Sequence, residues 1–272
     1  MERKVVCFKM RVRIVHSHDD WILSKMGKYL VNGINYATGP EDDGKPYDIV
    51  YYTHYSMIYS MIKHSTPTII GAFFTHEEST LFKDMARKVD FCVCMCERYK
   101  KILQTVNHNV FVIPQPTDLE RYKPKLILGF VGRFYKTKRK GKDLLDKITK
   151  LPFVEIKMTL GKIKEGEMNN FYNSLDYVLN TSKIEGGPMC LTEGLACGKE
   201  IIIPDVGMVD QFKNCKYVHI YDRNKPETLV NLLKELYQKK LEIRKTVEKY
   251  SIKNFIDEHK KLFEKLVNEQ IR

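Results

Sequence analysis

Short apolar runs rich in β-branched and aromatic residues alternate along the chain with stretches whose apolar positions recur at helical spacing. Strand-type runs stand at 11–16 (RVRIVH), 48–54 (DIVYYTH), 67–74 (PTIIGAFF), 90–95 (DFCVCM) and 110–114 (VFVIP). Between them, 21–33 places Trp21, Met26, Tyr29 and Leu30 on one helical face, and 77–89 reads as a second helix. The alternation restarts near residue 120, with strands expected at 126–132, 153–158, 177–180 and 200–204 and helices at 141–148 and 167–175. A further helix is entered through Gly186 and Gly187, and two amphipathic helices follow at 226–250 and 251–267. In the last of these, Ile252, Phe255, Ile256, Leu262, Phe263 and Leu266 fall at helical spacing. Such alternation predicts an α/β protein with largely parallel sheets. The proline-bearing segment 114–124 (PQPTDLERYKP) is the natural linker between two doubly wound halves. The expected division is 1–118, 119–250 and a C-terminal helical segment, 251–272.

A chain of 272 residues that is 43% hydrophobic can bury a real core in two modest domains. No apolar run approaches the length of a membrane span, and MERKVVCFKMRVRIVH does not have the form of a signal peptide, so a cytoplasmic location is expected. Seven cysteines, an odd number, read as free thiols. Cys92, Cys94 and Cys96 alternate on a strand, and small buried side chains explain them better than a zinc site. The 46 Lys plus Arg against 34 Asp plus Glu leave +12, which suits nucleotides, nucleic acid or anionic membranes.

Candidate chemistry concentrates in 185–205 (EGGPMCLTEGLACGKEIIIPD). Gly186 and Gly187 allow close backbone approach, and Pro188 fits the first turn of a helix, where its missing N–H does no harm. The N–H groups of Met189 and Cys190 would then face an anion such as a phosphate. Glu193, one turn further in, is placed to accept hydrogen bonds from a sugar diol. A solvated helix residue favoured by the N-terminal dipole is the alternative reading.

The spacing Glu185, seven residues, Glu193, with the following 194–207, resembles the donor-site signature of retaining GT-B glycosyltransferases of the glycogen-synthase-like and bacterial mannosyl- and glucosyltransferase group. That pattern runs E-G-F-G-L-x-x-L-E-A-x-A-x-G-x-P-V-I. Three further blocks are similar to the same family in order: 129–148 (GFVGRFYKTKRKGKDLLDKI), 112–124 (VIPQPTDLERYKP) and 249–266 (KYSIKNFIDEHKKLFEKL). Together they cover roughly 110–267, and four ordered blocks are far more specific than one motif. Two departures stand out. In place of a glycine-rich first loop the chain has 16–21 (HSHDDW), and the basic loop from Arg133 to Lys140 is two residues longer than usual.

The resemblance implies a GT-B fold of two Rossmann-like, doubly wound domains facing a central cleft. It implies transfer of a sugar, with glucose expected, from a nucleotide-sugar, expected to be a UDP-sugar, with retention at the anomeric carbon. Arg133 and Lys140 match the diphosphate-binding pair, with Lys138 a rival for the second place. Glu185 would lie by the donor sugar's hydroxyls, Glu193 would hold the ribose, and the backbone from Gly187 to Cys190 would bind phosphate. His76 resembles the family's strand-end histidine at the reaction centre. His16, His18, Asp19 and Asp20, after the first strand, suggest acceptor binding, with capping of the next helix by Asp19 or Asp20 the equally good structural reading. Neither a cofactor nor a metal is expected, because the helix end and the basic residues take that role. The acceptor is a glycan or lipid, or, given the +12 charge, a hydroxymethylated base in DNA. The alternative function is a non-catalytic nucleotide or nucleic-acid binding protein on a degenerate GT-B fold. Against nucleic acid stand Glu185 and Glu193, which would repel a phosphate backbone.

Overall fold

A computed structural model describes residues 10–60, 68–75 and 79–269. The chain forms two compact units, one joining residues up to Arg121 with those from Val247 onward, the other contiguous, Tyr122–Thr246. Along the chain run β1 (Val12–Val15), α1 (Ile22–Gly33), β2 (Ala37–Thr38), β3 (Ile49–Tyr52), β4 (Ile69–Phe74), α2 (Ser79–Ala86), β5 (Phe91–Cys94), α3 (Glu97–Leu103) and β6 (Val110–Val112). The second unit holds β7 (Leu126–Phe130), α4 (Lys142–Ile148), β8 (Val154–Met158), α5 (Met168–Asn173), β9 (Tyr177–Leu179), α6 (Met189–Ala196), β10 (Glu200–Pro204), β11 (Val218–Tyr221) and α7 (Pro226–Lys245), and α8 (Ile252–Asn268) closes the chain.

The first sheet runs β2-β1-β3-β4-β5-β6 and the second β11-β10-β9-β7-β8, with every pairing parallel. Parallel strands joined by helical crossovers are covered on both faces, so their side chains must be apolar in both directions. In β5, Phe91 and Val93 enter a core with α1 and α8, while Cys92 and Cys94 enter the opposite core with α2 and α3. Burial pushes the Cys94 thiol up to about 11 and raises Cys92 further, so both stay protonated small apolar groups. The described cysteines are free, and no group of three His, Cys, Asp or Glu among the described residues could hold a metal. The second sheet packs α4 and α7 on one face and α5 and α6 on the other. Among the described residues, no helix is long and apolar enough to cross a membrane.

Helix α8 completes the first unit. Ser251 caps it by accepting from Asn254 N at 3.2 Å, and Phe255, Leu262, Phe263 and Leu266 enter the α1 side of the core. The gap that the apolar pattern leaves one turn after Phe255 is filled by His259, which is fully buried. Its Nδ1 lies 2.9 Å from the Phe255 carbonyl, which can only accept, so Nδ1 carries the proton. Nε2 then accepts from the Tyr51 hydroxyl at 3.0 Å. Burial holds the His259 pKa down to about 4, and the ring is neutral at pH 7.

That depression has a definite sign. Between pH 6.5 and 4 the unfolded chain binds a proton that the folded chain refuses, so stability is full above pH 6.5 and falls as pH drops toward 4, by at most about 3 kcal/mol from this residue. Urea denaturation at several pH values is expected to show the loss. His259→Gln, which retains an acceptor for Tyr51, should flatten that segment of the profile, and an unchanged slope would contradict the assignment.

Candidate active site

β7 and β9 are neighbours in the second sheet, with Phe130 opposite Leu179, so the loops leaving their C-terminal ends lie side by side. The β7 loop carries Arg133 and the basic run to Lys142, and the β9 loop carries Asn180 to Pro188 and leads into α6. Backbone bonds stitch the two together. Lys183 N donates to the Arg139 carbonyl at 2.7 Å, Thr181 Oγ1 to the Lys140 carbonyl at 2.8 Å, and Arg223 Nε to the Thr181 carbonyl at 3.2 Å. Arg223 also holds both oxygens of Asp143, at 2.9 Å each, and so ties the start of α4 to the same point.

This stitching brings Lys140 onto Glu185. Lys140 Nζ donates to Glu185 Oε1, Ser182 Oγ donates to the same oxygen at 2.7 Å, and Arg139 Nη1 lies 3.9 Å from Oε2. The Glu185 side chain is only 9% exposed and that of Lys140 14%. Burial by itself would push the Glu185 carboxyl up, but the Lys140 and Ser182 hydrogen bonds and the nearby charges outweigh it and hold the group below its usual range. Ser182 was not singled out from the sequence, although it stands only three residues before Glu185. Its own amide is held by Asn180 Oδ1 at 2.7 Å.

Arg133 follows Gly132 at the end of β7 and lies across the turn after β8. An added Cβ on Gly161 would sit 1.9 Å from Arg133 Nε, and Gly161 has φ of +69°, so the guanidinium occupies space that only glycine leaves open. The turn is fastened to β7 by Thr159, whose Oγ1 accepts from Gly132 N at 3.0 Å and whose N–H donates to the Phe130 carbonyl at 3.1 Å. Arg133 makes no ion pair among the described residues. Lys138 is exposed at a turn with φ of +56°, also without an ion pair among them.

Pro188 is the N-cap of helix α6, with extended backbone, and Met189 is its first residue. The first helical bond runs from Leu191 N to the Pro188 carbonyl at 2.9 Å, so the N–H groups of Met189 and Cys190 precede it and face outward from the helix start. Gly186 is exposed, with open space where a side chain would lie, and its carbonyl accepts from Met208 N at 3.0 Å. Cys190 is buried and receives Asn180 Nδ2 at 3.7 Å, which leaves its backbone rather than its thiol as the functional group. Glu193 is half-buried, and Tyr172 of α5 donates its hydroxyl to Oε2 at 2.5 Å. Burial, then the neighbouring carboxylate, raises the Tyr172 pKa well above its ordinary value, so the phenol stays a donor. Next to Glu193 the chain has glycine where the family pattern quoted above has alanine. A Cβ on Gly194 would meet Ile201 Cδ1 at 2.7 Å and Val178 Cγ2 at 2.8 Å, so the glycine lets α6 settle directly on β9 and β10.

In the first unit, His16 is buried at the end of β1 with Nδ1 2.7 Å from the Ser17 carbonyl, and its ring fills the space above Gly27 of α1. His18 is exposed, 3.5 Å from Glu41. Asp19 Oδ1 accepts from Ser24 Oγ at 2.5 Å, Ser17 Oγ at 2.9 Å and Trp21 N at 3.2 Å, and the first two hold its pKa below the usual range. Asp20 is exposed. The Asp19 contacts are those of a turn leading into α1. His54, at the end of β3 and not singled out from the sequence, is buried against Ser56 Oγ at 2.6 Å. His76 lies outside the described residues.

Residues 118–254 match the family described as glycosyl transferases group 1. The chain belongs to this family. The glycosyltransferase has the α/β fold of the GT-B class, with two Rossmann-like parallel-sheet units. Among solved structures it is similar to sucrose-phosphate synthase from Thermosynechococcus elongatus (12% identity, 93% of this chain and 81% of that one, TM-score 0.38). It is also similar to the lipopolysaccharide outer core galactosyltransferase WaaB (13% identity, 96% and 99%, TM-score 0.39) and to TarM (14% identity, 79% and 54%, TM-score 0.35). No curated protein sequence matches it.

The Glu185 environment is directly testable. Replacing Lys140 with methionine keeps the packing of its stem and removes the cation, so burial should prevail and the Glu185 carboxyl should titrate at higher pH than in the parent. Carbon-13 NMR of labelled glutamate is expected to resolve that rise, and an unmoved titration would show that Lys140 does not govern this carboxylate.

Proposed function

We propose that this glycosyltransferase moves a hexosyl group, with glucose the expected sugar, from a UDP-sugar to a glycan hydroxyl with retention at the anomeric carbon. The observation that carries the reading is the set of groups at the C-terminal ends of β7 and β9: outward N–H groups at the α6 start, Arg133 and Lys140 at the β7 loop, and a carboxylate on α6 held by a buried phenol. Each meets one part of a nucleotide-sugar. The Met189 and Cys190 N–H groups and the helix dipole suit a phosphate, with Gly186, Gly187 and Pro188 leaving the approach open. With Oε2 engaged by Tyr172, Glu193 Oε1 suits a ribose hydroxyl. Glu185 suits the hydroxyls of the transferred sugar.

As the glycosidic bond to the diphosphate lengthens, positive charge develops at the anomeric carbon and negative charge on the leaving oxygens. Arg133 and Lys140 offset the latter, with Lys138, exposed on the same loop, the alternative second partner. No metal is needed for this charge balance. The acceptor hydroxyl then needs positioning more than covalent help. His76 is the residue proposed to contact the donor sugar. A protein that binds nucleotide without transferring sugar would share the donor contacts and show no turnover.

Glu193→Gln keeps an oxygen for Tyr172 but turns the other group into a donor, so UDP affinity should fall by roughly ten-fold or more, the scale of a lost charged hydrogen bond. Thermal shift with UDP measures it, and undiminished stabilisation would remove Glu193 from the ribose site. Arg133→Ala should lower kcat by on the order of 10², the effect of removing one preorganised electrostatic partner. A change confined to KM would assign Arg133 to ground-state binding alone.

A further inference from the structure

At the C-terminal edge of the first sheet, the end of an α/β unit where ligands bind, the chain exposes an aromatic surface that the donor chemistry does not use. Trp21, the chain's one tryptophan, is 53% exposed just before α1. Its ring meets the buried His54 edge-on, with centroids 5.6 Å apart, and its backbone N–H donates to Asp19 Oδ1 at 3.2 Å. Asp19 is fixed in turn by Ser17 and the fully buried Ser24, both bonded to Oδ1, whereas Oδ2 accepts no hydrogen bond among the described residues. One hydrogen-bonded turn therefore presents both an indole face and an ionised carboxylate oxygen.

An indole face attracts the weakly positive C–H groups on the apolar side of a pyranose ring, and a carboxylate accepts from sugar hydroxyls. A nucleobase would also stack on Trp21, but a nucleic acid would bring its phosphates beside Asp19, Asp20 and Glu41. Arg11, just before β1, and Arg13 within it do not offset these acids, because Arg11 is paired with Asp43 at 2.6 Å and Arg13 with Asp42 at 2.8 Å. We propose that Trp21 and Asp19 form a carbohydrate-binding platform that holds an uncharged glycan acceptor, with a sugar ring on the indole and a hydroxyl on Asp19 Oδ2. This rests on the glycosyl-transfer reading above and names its acceptor class.

Because the chain has a single tryptophan, its intrinsic fluorescence reports the site without catalysis. The full chain is titrated with neutral oligosaccharides (maltose, cellobiose, lactose and chitobiose series) and with a short single-stranded oligonucleotide, each at low and high salt. At least one sugar series should shift the emission saturably and independently of salt. By calorimetry Trp21→Ala should weaken that sugar roughly ten-fold or more, while Trp21→Tyr retains most of the affinity. Emission untouched by every sugar, equal binding by Trp21→Ala, or a salt-sensitive response to the oligonucleotide alone would overturn the proposal. UDP stabilisation of the same samples separates the two readings: sugar binding without a UDP response counts against the donor site, and a UDP response without sugar binding counts against the platform.

Discussion

Every strand in both sheets is parallel, and that constraint orders the rest of the molecule. Parallel strands need helical crossovers, crossovers cover both faces, and side chains between two covered faces must be apolar. The interior of each unit accordingly reads Ile, Val, Leu, Phe and protonated cysteine. The polar groups of the candidate site gather where the strands end, which is where Arg133, Asn180 to Glu185, His16 and His54 all stand. His259 is a polar ring accepted in the core as a neutral, doubly hydrogen-bonded group.

The same constraint shapes the electrostatics. Several of the chain's cations are matched to acids at its surface, as with Lys142 on Asp146 and Lys253 on Asp257, and such pairs add little stability. The Lys140 pair with Glu185 differs because both side chains are mostly withdrawn from solvent, so their mutual attraction is less screened and fixes the loop that bears them. A net charge of +12 therefore says less about partners than the few positions at which charge is held rigidly or left unmatched.

Most long elements were legible in the sequence because their apolar periodicity matches their burial. The missed ones were short: β2 has two residues, β11 is an edge strand of four with His219 and Ile220 partly exposed, and α3 is a seven-residue helix dominated by charge. The candidate donor-side residues were picked out by the match of Glu185, Glu193 and the basic loop to the family's motif spacing. Their supports were not. Tyr172 is 21 residues from Glu193 and reaches it only because α5 packs on α6, and His54 meets Trp21 across two strands, contacts that leave no periodic trace.

Helix α8 belongs to the first unit, although it follows the whole of the second in sequence. On the ribosome, the contiguous stretch Tyr122–Thr246 has all of its strands and covering helices before the earlier unit has received the face supplied by Phe255, Phe263 and Leu266. Vectorial synthesis thus lets the second unit finish first, and the apolar surface that α8 covers on the first unit stays open until α8 has been made, a window in which that surface is prone to aggregation.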